Sequence, residues 1–210
     1  GIMRKLNLLF VIILAFVLLT GFQPTTTAEK KITEINENST EASTRFASCQ
    51  NNIKTNPAYQ SVFSHMSYRK EPTLTQLADT AQPTDKEAEI IIAIHNDNAK
   101  CRAKLIEDLM RIIPSVVPIL VENFHANDII NAQLIQHKIN WGSANQQILT
   151  SDDNGKKKFG EEMDRLLREL QISHNVELSQ RKADAELSQR EAAEAEQAVE
   201  AERSRKQAAL

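Results

Sequence analysis

Cys49 and Cys101 are the only cysteines of this 210-residue chain, and with five histidines they are its most chemically suggestive side chains. The cysteines are far apart, with no Cys-x-x-Cys spacing to lower a thiol pKa. Each falls on an apolar helical stripe. In an oxidising compartment such a pair reads as a structural disulfide between two helices. Closing a loop of about 50 residues would stabilise the fold by about 4 kcal/mol on the chain-entropy account.

His65, His95, His125, His137 and His174 are scattered. No two stand three or four apart, the spacing that would put two metal ligands on one helix face. His125 and Asp128 form at most a weak metal pair with no third ligand. Asp152-Asp153-Asn154-Gly155 faintly echoes a calcium loop, but the alternating ligands and terminal glutamate are wrong. A solvated turn is the better reading. No nucleophile elbow, phosphate loop or dinucleotide fingerprint is present. The carboxylates fall on helix surfaces in charge pairs, where no acid–base couple can be nominated. No catalytic, cofactor-binding or metal-ligating residue is therefore expected, and the chain reads as no enzyme.

The oxidising compartment is inferred from residues 1–28. Arg4 and Lys5 precede the apolar run Leu8–Leu19, and a polar stretch ends in Thr25-Thr26-Thr27-Ala28. This is the order of a secretory signal, with Thr26 and Ala28 as the small residues before a cut ahead of Glu29. The alternative is an uncleaved membrane anchor through residues 6–22, short against the roughly 20 residues of a typical span. Its basic flank would keep the N-terminus in the cytoplasm and the rest outside. Either way the expected location is the periplasm or the outer face of the inner membrane. Without Arg4 and Lys5, the 25 basic and 28 acidic residues leave a net charge of −5. That argues against a nucleic-acid partner, since phosphate binding needs a basic face.

The elements that carry these residues are helical. Five glycines and six prolines are few, and no alternating strand pattern appears. Ile32, Ile35, Ser39, Ala42, Phe46, Cys49 and Ile53 step by threes and fours along one stripe. Asn56-Pro57 stops that helix. A short apolar piece follows, with Tyr59, Val62, Phe63 and Met66. Thr73–Gln76 and Thr84–Glu87 fit capping boxes. The second opens the strongest helix, Asp85 to about Ile113, with Ile91, Ile94, Asn98, Cys101, Leu105, Asp108 and Ile112 on its stripe. Pro114 and Pro118 predict a break. The next helix is expected to bury Val121, Phe124, Ala132, Ile135 and Ile139, and to end at Trp141 with Gly142 as a left-handed cap.

After the expected loop at 151–155, residues 156–210 turn to Glu, Arg, Gln and Ala. One long charged helix is predicted there, docked at its start by Met163, Leu166, Leu167 and Leu170. Glu161–Arg165, Asp164–Arg168, Glu177–Arg181, Glu186–Arg190 and Glu202–Lys206 supply favourable four-residue pairs, each worth roughly 0.2–0.5 kcal/mol. The fold class expected is all-α: a disulfide-linked helical bundle over 29–150 with a long extended C-terminal helix.

Leu178, Ala185, Leu187, Ala192 and Val199 are the candidate partner-binding residues. Leu178, Ala185, Ala192 and Val199 make a stripe too thin for a two-stranded seam of its own. Leu187 lies half a turn away from Leu178. A helix lacking its own seam takes one from a partner. The expected function is a non-catalytic exported envelope protein, a helical scaffold or adaptor, one form of which is a subunit of an envelope or secretion assembly. It would bind another envelope protein, or itself, through this helix. Two alternatives are a holdase-type chaperone, although exported chaperones of similar outline tend to be basic, and a small-molecule or lipid carrier with a pocket between Phe46, Phe63, Ile92 and Phe124.

Overall fold

The computed structural model describes residues 25–67 and 70–208. The apolar leader, with its signal or anchor reading, lies outside them up to Pro24. The described residues are helical and contain no strand. Six α-helices follow in order: α1 (Thr27–Lys54), α2 (Gln60–His65), α3 (Leu74–Leu77), α4 (Asp85–Ile112), α5 (Val117–Ile135) and α6 (Trp141–Ala208). Short 3-10 turns at Pro57–Tyr59 and Pro114–Val116 lead into α2 and α5. No described helix is long and apolar enough to cross a membrane.

The chain divides into two compact units. One contains Thr33–Leu166, and the other joins Pro24–Ile32 to Leu167–Leu210.

In the first unit, α1 and α4 are antiparallel and held by a ladder of paired side chains. Arg45 Nη2 meets Asp108 Oδ2 at 2.9 Å, Cys49 is bonded to Cys101, and Gln50 Nε2 donates to Asn98 Oδ1 at 2.7 Å. The stripe expected on α4 is buried from Ile91 through Ile94, Asn98, Cys101, Leu105 and Asp108, while its last member, Ile112, is half-buried. Both capping boxes, Thr73–Gln76 and Thr84–Glu87, are made. The core gathers Ile53, Tyr59, Val62, Ile91, Ile94, Ile130, Leu134 and Trp141.

The prolines act as expected, closing α4 and opening α5. The buried face of α5 differs from the expected one. It carries Val117, Ile130 and Leu134, while Val121 is 45% exposed and Ile139 lies beyond the helix. The reason is a second, polar stripe. Asn123 Nδ2 donates to the Ser151 carbonyl at 3.0 Å, and Asn127 Nδ2 to Asp152 Oδ1 at 3.2 Å. Asn123, Asn127 and Asn131 stand four apart and lie along one side of α5. They rotate the helix so that its apolar residues are shared between two sides.

That stripe also corrects the expected loop at 151–155. Ser151–Gly155 is helical, and α6 begins at Trp141 instead of near Lys156. Asn, Asp and Gly are poor helix formers only in isolation. Here their short polar side chains fit the asparagine stripe, and Gly155 lies where a Cβ would sit 2.9 Å from Asn123 Nδ2.

Gly142 is not a left-handed cap. It is the second residue of α6, and its amide donates to the Asp79 carbonyl at 2.7 Å. A Cβ there would overlap the Leu77 carbonyl oxygen and lie 2.8 Å from that of Asp79. The left-handed cap of α5 is His137, with φ 55°. The Lys138 amide closes the cap on the Gln133 carbonyl at 2.9 Å, the Schellman arrangement.

The second unit is built where the first residues of α1 meet the middle of α6. Thr26 is the cap of α1: its Oγ1 accepts from the Glu29 amide at 3.1 Å, and Glu29 Oε2 accepts from the Thr26 amide at 2.7 Å. That is a third capping box. Thr26 and Ala28 are 1% and 3% exposed. Leu170 is buried in this unit, and from Lys182 onward every described residue of α6 is exposed. Glu177–Arg181 and Glu202–Lys206 form as expected, at 2.6 and 2.7 Å. Arg165 Nε, in the first unit, donates to Glu162 at 2.8 Å.

Candidate functional site

The five residues nominated for partner binding are all exposed. Leu178, Leu187 and Val199 show 36%, 57% and 54% of their surface, and Ala185 and Ala192 are also open to solvent. Ile172 and Val176, exposed by 63% and 64%, extend this apolar content toward the start of the unit. Among the described residues, Ala185, Ala192 and Val199 stay open to solvent, and Leu178 is the most covered of the stripe. The segment from Lys182 to Ala208 keeps a helix without a core, held by backbone hydrogen bonds and charge pairs.

The base of this arm is fixed by polar contacts that the sequence reading missed. Thr26 Oγ1 lies 2.9 Å from His174 Nδ1, and the Thr27 amide donates to Glu177 Oε2 at 2.8 Å. Arg181 Nη2 donates to the Thr25 carbonyl at 3.2 Å and pairs with Glu177. The Thr27 amide, first, and then Arg181 hold the Glu177 carboxyl below its usual range. The signal available in the sequence is the Thr26–Glu29 capping box, which overlaps the expected cleavage site.

A second cluster, in the first unit, surrounds His65. Its Nδ1 is 2.6 Å from Asp79 Oδ2 and its Nε2 is 3.8 Å from Glu87 Oε1. The ring stacks on Trp141, with centroids 5.1 Å apart and planes 15° apart. Asn145 Nδ2 ties the strand of chain beneath it by donating to the carbonyls of His65 and Gln76. The hydrogen bond with His65 holds the Asp79 carboxyl below its usual range, helped by the Ala81 amide against partial burial. An imidazole oriented by a carboxylate is half of a nucleophilic dyad. The neighbouring hydroxyls are engaged elsewhere, Ser64 Oγ with the Ser61 carbonyl and Ser67 Oγ with that of Lys70, both at 2.6 Å. The cluster staples α2, the turn after α3 and the start of α6.

The His125–Asp128 pair does not assemble. His125 is exposed, and Asp128 Oδ1 is taken by Arg102 at 2.7 Å and His95 at 3.2 Å. Arg102 in turn lies over the Phe124 ring, 4.7 Å from its centroid. Among the described residues no group of three or more His, Cys, Asp or Glu is placed to hold a metal ion. Of the residues suggested for a carrier pocket, Phe46 and Phe124 face each other at 6.5 Å and Phe63 packs edge-on to Tyr59. Ile92 is 47% exposed and lines no interior space with them.

The Cys49–Cys101 disulfide, with Cα atoms 5.8 Å apart, joins α1 to α4 as expected. A bond of this kind belongs to an oxidising environment outside the reducing cytosol. The chain matches no protein-family model, no curated protein and no solved structure.

Proposed function

We propose that the protein is a non-catalytic helical adaptor of the cell envelope, exported to the periplasm or the outer face of the inner membrane. It binds another envelope protein, or a second copy of itself, through the exposed part of α6. The observation that carries this reading is the run from Lys182 to Ala208, helical and solvent-exposed at every residue. Most helical stability in proteins comes from packing an apolar face, and this run packs none against the described residues. Ala185, Ala192 and Val199 give a partner one apolar side of the helix and Leu187 the opposite one, and the flanking charges set the register.

The disulfide supports the export half of the reading, and the clamped base of the arm supports the adaptor half. A partner that pulls on α6 meets a fixed point at His174–Arg181 rather than a frayed tail.

The test compares the full chain with one ending after Arg181. The shorter chain should keep its helical signal per residue in the bundle and its thermal midpoint, and should lose the native complex seen by crosslinking in the source membrane. A shortened chain that retains every complex removes the arm as the binding element.

A further inference from the structure

We propose that Thr25–Ala28 are a working part of the mature protein, a clamp on the base of the α6 arm, and that any leader is cut upstream of Thr25 and not ahead of Glu29. The inference rests on the export reading only in supposing a leader at all.

Residues discarded with a leader need fit nothing in the folded protein. These four fit closely. Thr26 is among the largest fully buried side chains of the chain, and Ala28 is buried beside it in sequence. Thr26 caps α1 and reaches His174 at 2.9 Å. The Thr27 amide saturates Glu177 at 2.8 Å, and the Thr25 carbonyl accepts from Arg181 at 3.2 Å. A chain starting at Glu29 would lose all of these at once. It would also remove the Thr26 hydroxyl and carbonyl that accept from the Glu29 and Lys30 amides at the start of α1, and it would uncover His174 where Thr26 meets it.

Two measurements decide the matter. The intact mass of the protein recovered from its own cells, with the full gene expressed, should place the first residue at Thr25 or upstream. A mass starting at Glu29 overturns the proposal. In the full chain, Thr26→Ala removes both the cap and the His174 contact. Amide hydrogen exchange over 27–32 and 174–181 should then rise about fivefold, the equivalent of about 1 kcal/mol for a lost cap, while exchange over α4 stays as it was. Unchanged exchange in both segments overturns the clamp. The export reading is judged separately, by fractionation and by the redox state of Cys49 and Cys101. A chain that stays inside with reduced thiols ends that reading and leaves the exchange experiment to judge the clamp.

Discussion

At the residue scale, the first unit depends on a few side chains whose loss has a stated cost. Gly142 is one. Its close approach to the Leu77 and Asp79 carbonyls leaves no room for a methyl group. Gly142→Ala should destabilise by about 2–3 kcal/mol, the cost of overpacking against backbone that cannot yield plus a weakened hydrogen bond. Chemical denaturation of the oxidised protein reads this directly, and a change below about 0.5 kcal/mol would mean that α6 starts elsewhere. Asp79 gives a pH signature. Its pKa is depressed in the folded state by His65, so its contribution is fully present above the unfolded value, about 3.9. It is lost as pH falls through the lower folded value. Asp108 behaves alike: burial pushes its pKa up, but Arg45 and Lys104 outweigh that and leave it lowered. Asp79→Asn and Asp108→Asn should each flatten the fall in thermal midpoint below about pH 4. An acid limb unchanged in both variants would remove these carboxylates from the account.

At the element scale, the disulfide is the strongest single restraint. It spans 52 residues between α1 and α4. Reduction should lower stability by about 4 kcal/mol, a large part of the 5–15 kcal/mol typical of a domain. A thermal scan with and without reductant checks this, with no free thiol expected in the unfolded, unreduced chain. Much at this scale was legible in the sequence. The α4 stripe, both capping boxes and the proline break follow from periodicity and cap chemistry, which are local properties. The same kind of reasoning failed from Trp141 to Gly155. Gly142 looked like a terminator because glycine permits a left-handed turn, yet its role is to let two carbonyls approach. Ser151–Gly155 looked like a loop because its propensities are poor, yet its partner is Asn123 and Asn127, 28 and 25 residues away. Their spacing of four was visible; what they faced was not. The meeting of Thr25–Glu29 with His174–Arg181 was hidden for the same reason, as it spans about 150 residues.

At the scale of the whole molecule, the chain combines a disulfide-bonded bundle with a second unit built on α6. The second unit carries the functional proposal, because among the described residues it holds a long helical stretch, 182–208, that is exposed at every position. In the first unit His65 pairs with Asp79 and stacks on Trp141, Asp128 pairs with Arg102, and Asn98 accepts from Gln50. The central claim is that the arm beyond Arg181 is a binding element, and site-specific photocrosslinking in the full chain tests it most directly. A photoreactive residue placed at Ala192 or Val199 should give discrete adducts, with a second copy or with one other envelope protein. The same group at Lys100, exposed on α4, should give none. No adduct from either arm position, or equal labelling from Lys100, would contradict the account.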